Sequence, residues 1–176
     1  TAMMSPRTHT TLPGLVLRQA ERPDAALVLD FIRELAAYEK LSHEVVATAA
    51  DIEDTLFGAR PFAEVVIAEL DAAPAGFILW FPNYSTFLGK PGIHIEDLFV
   101  RPQMRGRGIG KCLLAWVARV AHSRGWGRVE WSVLDWNEPA LRFYASIGAA
   151  ARTEWVLQRL SGAALARLAG QFPAPD

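Results

Sequence analysis

Apolar residues at 109, 112, 113, 116, 117, 120 and 121 follow i, i+3, i+4, i+7 spacing, which predicts a strongly amphipathic helix. A second such stripe, Val28, Phe31, Ile32 and Leu35, predicts a helix after Pro23 that runs to about Lys40. Thr48 with Asp51 three residues on has the form of a capping box, opening a shorter helix that ends near Gly58. Between these helices the pattern is that of strands. Leu15–Gln19 reads as one, and the apolar runs Glu64–Leu70 and 75–82, parted by residues 71–74, read as a hairpin. Residues 83–92 read as a loop rich in Gly, Pro, Ser and Thr, followed by a strand over 93–100 and another over 129–134. Asn137 then caps a helix reaching to about Ile147, with Pro139 in its first turn, where a missing N–H is tolerated. A last strand over 154–160 and a short helix over 161–169 complete the chain. Strands alternating with helices predict an α/β fold with a mixed sheet.

Composition narrows the function classes. At 176 residues, 51% hydrophobic and 21% charged, the chain fits one globular domain, expected over residues 15–170, with an unstructured leader over 1–14 and a tail over 171–176. A net charge of -1 offers no electrostatic footprint for nucleic acid. No apolar stretch approaches the roughly 18 residues of a membrane span, and residues 1–14 lack a signal-peptide run. One cysteine cannot close an internal disulfide, which favours a cytoplasmic location. Cys112 lies on the apolar helix stripe and reads as a structural thiol. The histidines at 9, 43, 94 and 122 show no metal-ligand spacing, so no metal is expected.

The chemistry concentrates where the strand over 93–100 runs into Arg105, Gly106, Arg107, Gly108, Ile109 and Gly110. Residues without Cβ let successive N–H groups turn into one concavity, and a helix N-terminus adds about half a positive charge. Such a turn suits a phosphate or pyrophosphate, with Arg105, Arg107 and Lys111 as counter-charge at its rim. A nucleotide-triphosphate loop does not fit: Arg105 stands where its first Gly belongs, and Cys112 where its Ser or Thr belongs. A dinucleotide fingerprint fails at Lys111, which replaces its third Gly.

The pattern that fits is R-x-x-G-x-G. Together with Leu98, Phe99 and Val100 before it, and with Asn137, Ala140, Tyr144 and Gly148 in a late helix, it resembles the acetyl-CoA site of the GNAT N-acetyltransferases. Within that superfamily the chain looks most like the diamine (spermidine/spermine) and thialysine acetyltransferases. Glu34-Leu35-Ala36, Tyr38-Glu39, Gly89-Lys90, Glu96-Asp97 and Trp136-Asn137-Glu138-Pro139 carry that likeness. The resemblance implies a twisted mixed sheet flanked by helices and splayed open around acetyl-CoA as co-substrate, a homodimeric assembly, and direct acetyl transfer to the primary amine of a small molecule.

That reaction needs a proton acceptor, because a primary alkylamine is neutral in only about one molecule per thousand at pH 7. Glu96 is the candidate base; it lies in an apolar strand where burial would raise its pKa, and the resemblance gives the matching Glu that role. Tyr144 is the candidate acid toward the departing thiolate, a role the resemblance implies against one in helix packing. Backbone groups of Leu98, Phe99 and Val100 would pair with the pantetheine amides like an added strand, and Asn137 holds that arm, caps its helix, or does both. For the acceptor amine the candidates are Tyr38, Glu39, Trp80, Tyr84 and Asp97, with Asp97 on the sheet face opposite Glu96 if the strand is regular. Lys40 departs from the aromatic residue usual in the diamine enzymes, which leaves a polyamine and a thialysine-like amino acid both open. A non-catalytic acyl-CoA sensor and a protein amino-group acetyltransferase are the rival readings.

Overall fold

The computed structural model describes residues 7–173. Six strands form one sheet in the order β1 (Arg7–His9), β2 (Leu15–Gln19), β3 (Glu64–Leu70), β4 (Ala73–Ser85), β5 (Lys90–Val100) and β6 (Val129–Trp131). Neighbours are antiparallel except β5 and β6, which run parallel, so the sheet is mixed as expected. The centres of β3 and β4 are buried on both faces, which is why their sequences read as continuous apolar runs rather than alternating ones.

Two layers of helix cover the sheet. On one face, Val28 and Phe31 of α1 (Ala25–Tyr38) and Leu56 of α2 (Ala49–Phe57) pack with Val65, Ile67, Phe77, Leu79 and Phe99. Phe31 is its centre, stacked on Phe77 with ring centroids 5.2 Å apart and tilted against Phe99 at 6.4 Å. On the other face, α3 (Ile109–Ser123) buries Ile109, Leu113, Leu114, Val117, Val120 and Ala121 against β3, β4 and β5. The stripe that predicts α3 in the sequence is its core face, with Cys112 and Trp116 at the stripe's half-buried margin.

Local chemistry sets the helix ends. The Thr48 hydroxyl accepts from the Asp51 N–H at 3.2 Å while the Asp51 carboxylate accepts from the Thr48 N–H at 2.8 Å, closing the predicted capping box. Helix α1 ends with Lys40 at φ 62°, the Leu41 N–H donating to the Ala36 carbonyl at 2.8 Å and the Lys40 N–H to the Ala37 carbonyl at 3.2 Å. This is a Schellman closure with a lysine in the left-handed position that usually takes glycine, at a cost of about 1 kcal/mol. The Arg101 guanidinium then ties the end of β5 back to α1 through the Glu34 carboxylate at 2.8–3.2 Å.

Several sequence expectations are corrected. Within the expected leader over 1–14, Arg7–His9 forms β1, paired with β2 and anchored by Arg7 on Glu69 at 2.6 Å; residues 1–6 lie outside the described residues. The expected loop over 83–92 is mostly strand, because β4 and β5 continue as a two-stranded ribbon that leaves only residues 86–89 to turn. The strand from residue 129 stops at Trp131.

The chain divides into two compact units between Leu134 and Asp135. The second contains α4 (Glu138–Ser146) and α5 (Gly162–Ala169). Its expected strand over 154–160 is absent. Trp155, Val156 and Leu157 are exposed there, and no strand partner offers them a ladder among the described residues. No helix of the described residues is long and apolar enough to cross a membrane.

Candidate active site

The glycine turn is a backbone device. Gly106 and Gly108 have φ of 75° and 81°, values that side chains with a Cβ rarely adopt. A Cβ on Gly106 would meet nothing within 4 Å, so its glycine serves conformation rather than packing. Gly108 is the N-cap of α3, and the first N–H of that helix to find a backbone acceptor among the described residues is that of Cys112, onto the Gly108 carbonyl at 3.0 Å. The N–H groups of residues 108–111 are thereby left for an anion at the positive end of a 15-residue helix. Arg107 and Lys111 are exposed beside them, whereas Ile109 is buried and anchors the turn to the core. Arg105 departs from expectation. Its guanidinium lies 4.7 Å from the Tyr38 ring centroid and 5.6 Å from that of Phe99, and its Nε donates to the Val100 carbonyl at 2.8 Å, so it faces α1.

Leading into that turn, β5 has an open edge. Its pairing with β6 covers only residues 93–95, and beyond Ile95 no strand continues on that side among the described residues. Residues 96–100, including Leu98, Phe99 and Val100, therefore keep backbone groups available to an extended partner, as a pantetheine arm requires. Phe99 is buried under α1, and a Cβ on Gly110 would lie 3.8 Å from Val100 Cγ2, so strand end and turn are packed as one piece. These features fit the pyrophosphate and amide groups of a coenzyme A ester.

The acids gather where β5 is irregular. Leu79 of β4 stands opposite Asp97, but its neighbour Trp80 stands opposite Ile95, so Glu96 is the extra residue of a β-bulge. Below the bulge His94 is opposite Phe81, and above it Asp97 is opposite Leu79. Since Phe81 and Leu79 share a sheet face, His94 and Asp97 share it too, the face covered by α1. The Glu96 carboxylate reaches the same side, with Oε2 3.6 Å from His94 Nε2. The expectation that Glu96 and Asp97 point to opposite faces fails because the strand is not regular.

Electrostatics follow this gathering. Burial, then the charge of Glu96, then that of Glu39 push the Asp97 carboxyl up to about 7. Burial also raises the pKa of Glu39, at the end of α1. Glu96, in contrast, has a side chain 58% exposed, so the burial expected of it falls on its neighbour instead. Three carboxylates meeting beside an open strand edge form a site that attracts a cation and can take up a proton.

Other expected acceptor contacts are not brought to this cluster. Trp80 is fully buried on the α3 face, edge-on to Trp126 at 6.4 Å, because it alternates along β4 with Phe77 and Leu79, which face α1. Tyr84 is 61% exposed, near the tip of the β4–β5 ribbon. Tyr38 is present as the ring beneath Arg105. Burial raises the pKa of Cys112, which suits a structural thiol. A cleft of about 400 Å³ lies at another part of the sheet, lined by Arg22, Leu56, Phe57 and Val65, and includes none of these site residues.

In the second unit, the buried Asn137 caps α4, its Oδ1 accepting from the Ala140 N–H at 3.4 Å. Gly148 at φ 89° closes the helix, and the half-buried Tyr144 leans on Phe143 with ring centroids 5.4 Å apart. The sequence pattern assigns His94 no role. Its spacing from Glu96 was visible, but the bulge that turns it toward Asp97 depends on register with β4.

Comparison with known proteins agrees with these features. Residues 29–149 match the acetyltransferase (GNAT) family. The chain is 37% identical over 168 residues to a thialysine N-epsilon-acetyltransferase of Bos taurus, covering 89% of this chain and 98% of the relative. It is 36% identical over 194 residues to an L-ornithine N5-acetyltransferase of Arabidopsis thaliana, covering 85% of each. Among solved structures, an integron cassette protein from the mobile metagenome of V. cholerae superposes with a TM-score of 0.76 at 24% identity, over 89% of this chain and 98% of that one.

Proposed function

The chain belongs to the GNAT acetyltransferase family, and from that premise we propose that it acetylates the side-chain amine of a small diamine or amino acid of the ornithine or thialysine kind, using acetyl-CoA. The observation that carries the proposal is the cluster of Glu39, Glu96 and Asp97 at the bulge, beside the open edge of β5 that leads to the glycine turn. The names of the ornithine and thialysine relatives support the acceptor class.

Acetyl-CoA supplies an activated thioester, and the residues of the chain do the rest. The N–H groups of residues 108–111, with Arg107 and Lys111 beside them, hold the pyrophosphate, and Leu98, Phe99 and Val100 present backbone to the pantetheine arm, on which the family resemblance also places Asn137. Ile109 and the glycines 106, 108 and 110 keep that turn in shape, and Arg105 adds charge from the Tyr38 side. Glu39 and Asp97 attract the acceptor ammonium. Glu96 takes its proton, directly or through water, so that the neutral amine can attack. Tyr144 protonates the leaving thiolate, the role that the family resemblance assigns to it. A homodimer in the cytoplasm is the assembly and location supported by that resemblance and by the single cysteine. A thiol-release assay with acetyl-CoA against diamines, polyamines, L-ornithine and thialysine tests the reading, which fails if no amine raises release above background.

A further inference from the structure

His94 has no part in the reaction as described so far, yet the bulge brings it to the acid-bearing face. Its Nε2 lies 3.6 Å from Glu96 Oε2, just beyond hydrogen-bond reach, a spacing that a small side-chain rotation closes. The ring rests against Phe81, centroids 5.0 Å apart and planes 32° from parallel, which fixes its position while its side chain stays 29% exposed. Around it stand Glu96 and Asp97 of β5, Glu39 of α1 acting through Asp97, and its register partner Glu130 of β6. Glu130 is already engaged, accepting from Asn83 Nδ2 at 2.9 Å and paired with Arg128 Nε at 3.0 Å. Glu96 has no cation beside it other than a protonated His94 among the described residues.

Resting on the reading that Glu96 accepts the acceptor's proton, we propose that His94 is the positioning residue of that base and carries its proton on to solvent. The proton balance is simple. An N–H bond of the acceptor ammonium breaks as an O–H bond forms on Glu96. That O–H then breaks as an N–H bond forms on His94 Nε2, and the imidazolium returns one proton to water. Both residues end the cycle as they began.

The test separates relay from packing. His94→Phe keeps an aromatic ring on Phe81 and removes the imidazole. With acetyl-CoA and L-ornithine or thialysine, kcat at pH 7 should fall about 10-fold while the amine KM stays within about threefold. The deficit should narrow toward pH 9.5, where free amine is abundant and hydroxide clears the base. In His94→Ala, added imidazole should restore part of the lost kcat. A readout independent of turnover is the imidazole ¹⁵N spectrum of the full chain at pH 7. Glu96→Gln should displace the His94 Nε2 resonance and leave that of His122 in place. A wild-type kcat and pH profile in His94→Phe, or a His94 resonance indifferent to Glu96→Gln, overturns the proposal. If the unmodified chain acetylates neither amine, the functional reading is what fails, and the spectrum still decides the pairing of His94 with Glu96.

Discussion

The glycine turn before α3 and the acid-bearing bulge in β5 lie a few residues apart, yet they are specified in different ways. The turn is local: two left-handed glycines and the start of one helix produce it, and nothing distant need agree. The bulge is non-local. Whether Glu96 and Asp97 share a face is decided by how β5 registers against Leu79 and Trp80 of β4. A backbone anion site can therefore be read from a short stretch of sequence, whereas a side-chain proton site cannot.

The largest expected effect breaks the local half of this contrast. Gly108→Pro replaces a residue at φ 81° by one locked near -65° and removes an N–H from the helix start. Acetyl-CoA binding should be abolished, a loss of more than about 10³-fold in calorimetry, while circular dichroism retains the folded signal, since a turn at the surface is disturbed and the core is not. Unchanged affinity would remove the turn from the cofactor site.

Glu96→Gln addresses the non-local half. At pH 7 turnover should drop about 10³-fold with acetyl-CoA affinity preserved, and the deficit should shrink as pH rises and neutral amine becomes abundant. A deficit constant from pH 6 to 10 would assign Glu96 a structural role. Next in size, Tyr144→Phe keeps the ring and its contact with Phe143 but removes the phenolic proton. Turnover should fall about 10²-fold, most visibly on the alkaline limb, with cofactor affinity little changed. Full activity across that range would leave the phenol with packing alone.

How much was legible follows from the same contrast. The stripe through Ile109, Leu113, Val117 and Val120 gave α3, the Thr48 and Asp51 pair gave the start of α2, and Asn137 gave the start of α4, because each is a short-range pattern. The acids at 39, 96 and 97 were visible as candidates. Their division of labour was not, since burial falls on Asp97 and leaves Glu96 open, an outcome of strand register. Trp80, expected at the acceptor pocket, is buried on the α3 face by its alternation with Leu79 along β4. The strand expected over 154–160 rested on an apolar run alone, and a run without a ladder partner does not make a strand.

The smallest expected effect sharpens the bulge further. Asp97, pushed up to about 7 in the folded chain, binds its proton more tightly there than when unfolded. Its contribution therefore lowers stability as pH rises from the ordinary carboxylate range through 7, and the loss is complete above about pH 8. Asp97→Asn should remove that dependence, raising stability at pH 8.5 by about 1–3 kcal/mol relative to the unmodified chain and by much less at pH 4.5. Urea melts at the two pH values measure it, and equal shifts at both would show that Asp97 is not the strained carboxylate.

The most direct measurement follows both halves of the site at once, monitoring free thiol and acetylated amine from the same acetyl-CoA reaction with L-ornithine or thialysine at pH 7.5. The expected result is equimolar thiol and singly acetylated amine, strictly dependent on the acceptor and lost in Glu96→Gln. Acetyl-CoA that binds in calorimetry but releases no thiol with any amine tested would contradict the account and make the chain a sensor of the ester rather than an enzyme that uses it.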